Sequence, residues 1–149
     1  MKVLIDTCIA IDFLQKREPF AESAYEIFKT SSAGEVSGYI TAKSAADIYY
    51  LMHRFTHSDE ASRTMLNLLL ELAGLTGTSA NDIFHALSSN VSDFEDAIMV
   101  ETAISNRMDC IITRNIRDYA KSAIPVYTPD EFLKVTGSED EEADDERRF

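Results

Sequence analysis

Short apolar runs alternate along this chain with longer stretches whose apolar residues recur every three or four positions. Runs at Lys2 to Ile5, Gly38 to Thr41, Cys110 to Thr113 and Pro125 to Tyr127 read as buried strands, with a weaker one around Leu75 to Thr76. Between them the pattern predicts helices over roughly Ile9 to Gln15, Pro19 to Ser31, Lys43 to Phe55, Asp59 to Ala73, Asn81 to Ser89, Phe94 to Arg107 and Ile116 to Ser122, and another short one after Pro129. Strands separated by helices imply right-handed crossovers, so an α/β fold with a mainly parallel sheet covered on both faces is expected. In such a sheet the ligand site gathers beyond the carboxyl ends of the strands.

The first strand ends on a charge: Val3, Leu4 and Ile5 stop at Asp6, which is followed by Thr7 and Cys8. The strand GYIT leads into AKSAADIYYL, with Asp47 in the first turns of a helix. A carboxylate there also complements the helix dipole, by about 0.3–1 kcal/mol. In VSDFEDAIMVETAISNRMDCIITRN, Ser92 or Asp93 can cap a helix whose stripe of Ala97, Val100 and Ile104 should face the sheet. Asp93 and Asp96 stand three residues apart at the start of that stripe, with Phe94 extending its apolar side, whereas Glu95 and Glu101 should point elsewhere. The next strand brings Thr113, Asn115 and Asp118 to the same end of the sheet, with Arg114 and Arg117 beside them. Asp6, Asp47, Asp96 and Asp118 would thus converge from four separate segments. Carboxylates that close repel one another unless a cation neutralises them, and oxygen ligands without His or Cys suit Mg²⁺ or Mn²⁺.

Composition narrows the setting. At 149 residues and 45% hydrophobic content the chain can bury one sizeable core, so one domain is expected over 1–136. The remainder, GSEDEEADDERRF over 137–149, carries seven acids and two arginines and has the composition of a disordered tail. The net charge of −12, of which about −7 stays on the body, disfavours a protein that holds nucleic acid on a broad basic face. No membrane-length apolar stretch and no secretory signal is visible, and a cytoplasmic location without membrane contact is expected. Cys8 and Cys110 form no CxxC pair and read as lying on different strands, as reduced structural thiols. His53 and His57 have the spacing of a helical zinc pair, but Arg54 stands where the metalloprotease motif needs Glu and no third ligand accompanies them.

DTCIAIDFL, the acid in SAADIYYL, DFEDAIMVETA and IITRNIRDY, in this order and spacing, resemble the successive motifs of PIN domains, particularly the VapC-type ribonuclease toxins of bacterial toxin–antitoxin systems. The resemblance spans roughly Met1 to Val135. It implies a three-layer α/β/α fold, Mg²⁺- or Mn²⁺-dependent hydrolysis of an RNA phosphodiester, a homodimer and an inhibitory antitoxin. The family's first acid falls on Asp6, its second on Asp47 and its third on Asp96, with Asp93 as an adjacent helper; its fourth position falls on Asn115. On this reading Asp6, Asp96 and Asp47 hold the metal. Thr7, Thr113 and Asn115 are candidates to orient waters or phosphate oxygens, and Lys43, Arg114 and Arg117 to grip the RNA. Two positions depart from the pattern: many relatives carry Glu in place of Asp47 and Asp in place of Asn115. The shorter Asp47 reaches less far and the neutral Asn115 is a poorer ligand, with Asp118 one helical turn further on to compensate.

One rival reading is a catalytically weakened PIN-like module that binds protein or RNA, resting on Asn115, Asp47 and the acidic body. An aspartyl phosphotransferase fits less well, because Cys8 stands where such a site would use a second Asp, and a response-regulator receiver would want Lys where Arg114 stands.

Overall fold

Alternation along the first strand decides the layers. In the computed structural model, which describes Met1 to Gly137, β1 (Lys2–Ile5) sends Val3 and Ile5 into one core and Leu4 into the other. The expected acidic tail, apart from Gly137, lies outside the described residues. On the Val3 side pack α1 (Thr7–Leu14), α2 (Ala21–Ser32), α3 (Ala42–Thr56) and α4 (Asp59–Leu72), together with Phe132 from a C-terminal helix over 129–137. On the Leu4 side pack α5 (Ala80–Leu87), α6 (Phe94–Ser105) and the short 3₁₀ turn Ile116–Tyr119.

Between the layers runs a five-stranded sheet in the order β3-β2-β1-β4-β5, with β2 at Ser37–Thr41, β3 at Gly74–Thr76, β4 at Cys110–Ile112 and β5 at Val126–Tyr127. Every pairing is parallel, with Leu4 opposite Tyr39 on one side and Ile111 on the other. The expected three-layer α/β/α fold is what the chain adopts. Because all strands run the same way, the residues after β1, β2 and β4 share one edge of the sheet.

Several local expectations need correction. Helix α1 starts at Thr7 rather than Ile9, because the Asp6 side chain accepts from the Thr7 N–H and caps the helix at the strand end. Cys8 therefore lies on a helix, and only Cys110 lies on a strand. Helix α2 begins at Ala21, since residues 18–20 are spent on a turn around Pro19. The buried stripe of α6 is Ala97, Val100 and Ala103, and Ile104 falls on its exposed margin. The predicted helix at Ile116 to Ser122 shrinks to one 3₁₀ turn ending at Tyr119.

Candidate active site

A cleft of about 590 Å³ opens over the carboxyl edge of the sheet, with Asp6, Asp47, Asp96 and Asn115 in its lining. The central strand delivers Asp6, whose carboxylate is held from three directions. Its Oδ1 accepts from Thr7 N at 2.8 Å, and its Oδ2 accepts from Thr113 Oγ1 at 2.7 Å and Tyr119 Oη at 3.3 Å. The Asp6 N–H in turn donates to Ile112 O at 2.9 Å, which locks the β1 exit against β4. Asp6 is thus a preorganised anion with its position set by two strands and a helix N-terminus.

Asp96 comes from the first turn of α6. Asp93 caps that helix, accepting from Asp96 N at 3.0 Å, and so places the Asp96 side chain over the cleft. Partial burial, followed by the charges of Asp93, Asp6 and Asp118, pushes the Asp96 carboxyl up from 3.8 to about 6, while a hydrogen bond with Tyr119 draws it partly back. Tyr119 is buried between the two carboxylates, and both burial and those charges hold its hydroxyl protonated far above the usual tyrosine range. The site therefore contains more negative charge than its own hydrogen bonds compensate.

Asp47 reaches the same cleft but faces a cation of the chain itself: Lys43 Nζ lies 2.8 Å from Asp47 Oδ2 and 3.6 Å from Glu95 Oε1. That hydrogen bond to Asp47 is the main reason the Lys43 ammonium is pushed above its ordinary value. Glu95, expected to point elsewhere, also lines the cleft. Thr7 Oγ1 donates to Ser44 Oγ at 2.9 Å, and Ser44 is in turn held by Thr41 at the start of α3. Asn115 is exposed at the rim, its backbone N–H donating to Thr113 Oγ1.

The remaining sequence candidates stand elsewhere. Arg114 makes a two-pronged ion pair with Asp12, Nε to Oδ2 at 2.6 Å and Nη2 to Oδ1 at 3.2 Å, and its guanidinium stacks 4.2 Å from the Phe20 ring centroid. Asp12 is fully buried, so this guanidinium is spent on the fold. Arg117 is exposed, and Asp118 reaches the cleft only through its field on Asp96. Sequence reasoning did not single out Tyr119, Arg17 or Ser44, of which the last two line the cleft together with Tyr50.

The chain belongs to the PIN domain family, whose model matches residues 2–117. No significant match is found among curated proteins. The fold is similar to that of VapBC2 from Rickettsia felis bound to a promoter DNA fragment, at 16% identity and a TM-score of 0.65 over 85% of this chain and 97% of that one. It is also similar to a toxin–antitoxin complex from Klebsiella pneumoniae, at 24% identity and 0.62 over 85% and 97%. FitAcB from Neisseria gonorrhoeae matches at 15% identity and 0.63 over the same shares. At the level of the family this is a nuclease-type domain. Among the described residues no helix is long and apolar enough to cross a membrane.

Proposed function

We propose that the chain is a metal-dependent endoribonuclease and the toxin of a toxin–antitoxin pair. The observation that carries this reading is the Asp6–Tyr119–Asp96 arrangement at the carboxyl edge of a PIN-fold sheet, where carboxyl groups are gathered beyond what the protein neutralises. Among the described residues no three His, Cys, Asp or Glu side chains cluster as a cage of metal ligands. The donor set instead fits a hydrated Mg²⁺ or Mn²⁺, which needs only one or two carboxylates and completes its shell with water and substrate phosphate. Asp6 and Asp96 would hold it, with Asp47 joining once Lys43 is drawn away. A cation so bound supplies charge neutralisation at phosphorus and a water of lowered pKa.

The protein's own groups do the positioning. Thr113 and Thr7 N–H fix the Asp6 carboxylate, Tyr119 sets the spacing of Asp6 and Asp96, and Asn115 offers an uncharged amide to a phosphate oxygen or water at the rim. Lys43, an internal counter-ion of Asp47, would exchange that carboxylate for a substrate phosphate. An antitoxin and a second copy of this chain are the partners this reading includes. The solved structures of similar fold include toxin–antitoxin complexes, and Phe84 and Leu87 on α5 leave apolar surface for such contacts.

Purified wild type should cut a mixed panel of structured and single-stranded RNAs with Mg²⁺ or Mn²⁺ and stop in EDTA. Asp6→Asn and Asp96→Asn should abolish cutting without unfolding the chain; a metal-dependent rate retained in either variant refutes the assignment. The alternative, a PIN module that binds without cutting, draws on the Lys43–Asp47 ion pair, which occupies one expected ligand. It predicts RNA binding with no cleavage under any metal.

A further inference from the structure

Lys43, Asp47 and Tyr50 bring one stripe of α3 to the cleft, and Arg54, four residues beyond Tyr50, continues that stripe outside its lining, while Ile48 and Met52 on the other side are buried in the core. Among the described residues Tyr50 is the one aromatic residue lining the cleft, and it is 60% exposed. The Arg54 guanidinium lies 5.8 Å from that ring's centroid. Arg17 lines the cleft as well, on the loop that follows α1. That loop is tied to α3 by Gln15, whose Nε2 meets Met52 Sδ at 3.8 Å and whose Oε1 accepts from Arg17 Nε at 3.1 Å. Lys43 and Arg114 are paired with Asp47 and Asp12, whereas among the described residues Arg17 makes no ion pair and its one side-chain hydrogen bond runs from Nε.

We propose that Arg17, Tyr50 and Arg54 form a nucleotide-gripping rim, with an unpaired base stacked on Tyr50 and an adjacent phosphate held by Arg17; this rests on the ribonuclease reading of the same cleft. Exposed aromatic faces interleaved with cations are how proteins hold single strands, since every base offers a face for stacking and every link a charge. A chain of net charge −12 has no broad basic surface to spare, so Arg17 in the cleft lining and Arg54 against the Tyr50 ring set where the strand enters. Bases inside a duplex have both faces covered and cannot use Tyr50. The rim therefore selects an unpaired nucleotide beside the bond that is cut.

The test is fluorescence anisotropy in the Asp6→Asn background, which prevents cutting, with a short labelled oligoadenylate and a blunt hairpin duplex as probes. Tyr50→Ala should weaken oligoadenylate binding about tenfold, Tyr50→Phe should restore it, and hairpin binding should not change. Arg17→Gln should weaken binding of the single strand and lower its salt dependence by about one phosphate contact. If both variants bind oligoadenylate within about twofold of their parent while wild type still cuts RNA, the rim assignment falls alone and that face is left to a protein partner. If the parent binds neither probe and wild type cuts nothing, the rim and the ribonuclease reading fall together.

Discussion

Replacing Asp96 by Asn separates the charge of the site from its shape. In the folded chain the Asp96 carboxyl sits at about 6, against 3.8 when unperturbed. Below pH 3.8 both states are protonated and the site carries no penalty. As pH rises, the unfolded chain ionises first, so stability falls until about pH 6 and stays lowered above it. At full weight that difference is roughly 3 kcal/mol, and solvent screening of this partly exposed group reduces it to about 1 kcal/mol. Asp96→Asn should therefore stabilise the metal-free protein at neutral pH by about 1 kcal/mol, a rise in Tm of about 3 °C for a domain of this size. Calorimetry in EDTA should show the gain at pH 7 and none near pH 3.5, while saturating Mg²⁺ should raise the melting point of wild type and not of the variant. A variant that melts at or below wild type at pH 7 would show that the carboxylates are not in conflict.

Three further outcomes follow from named contacts. Arg114→Met strands the buried Asp12 carboxylate and should cost about 3 kcal/mol in urea unfolding; a loss under about 1 kcal/mol would mean that the ion pair is dispensable. Lys43→Gln releases Asp47 to the cleft and should tighten divalent-metal binding severalfold by titration calorimetry, whereas unchanged affinity would show that Lys43 does not compete with the metal. Burial, with a smaller contribution from Asp109, pushes the Cys110 thiol up to about 12, so a thiol reagent at pH 8 should modify Cys110 only after denaturation. Rapid labelling of Cys110 in the native protein would contradict its burial.

Asp6 and Asp96 were legible because each interrupts a pattern: one ends an aliphatic strand, the other sits beside the buried stripe of a helix. Their meeting followed from parallel topology alone. Asp12 and Arg114 were not legible as a pair, since 102 residues separate them and an acid next to Phe13 on a short helix reads as exposed. In the structure α1 lies in the core, and Asp12 is accommodated only by the fork of Arg114. Glu95 was expected to point elsewhere because it lies off the apolar stripe of α6, yet it lines the cleft with Lys43 3.6 Å away. Tyr119 depended on a 3₁₀ turn that brings its hydroxyl back toward Asp6, a reversal that hydrophobic periodicity does not encode. The α3 stripe from Lys43 to Arg54 was present in the sequence as a spacing, and only the position of the cleft gave it direction.

The central strand of this sheet is made first, and its partner β4 almost last. Thr113 reaches back to Asp6 across 107 residues, and Leu4 finds Ile111 only when most of the chain exists. A nascent or prematurely terminated chain ending before Cys110 lacks Thr113, Asn115 and Tyr119 and leaves one edge of β1 unpaired. Such distant pairings also close slowly, because loop entropy must be met before they stabilise anything. Synthesis itself thus acts as a timer on the candidate site: its full set of carboxylates and hydroxyls comes together only once most of the chain has been made.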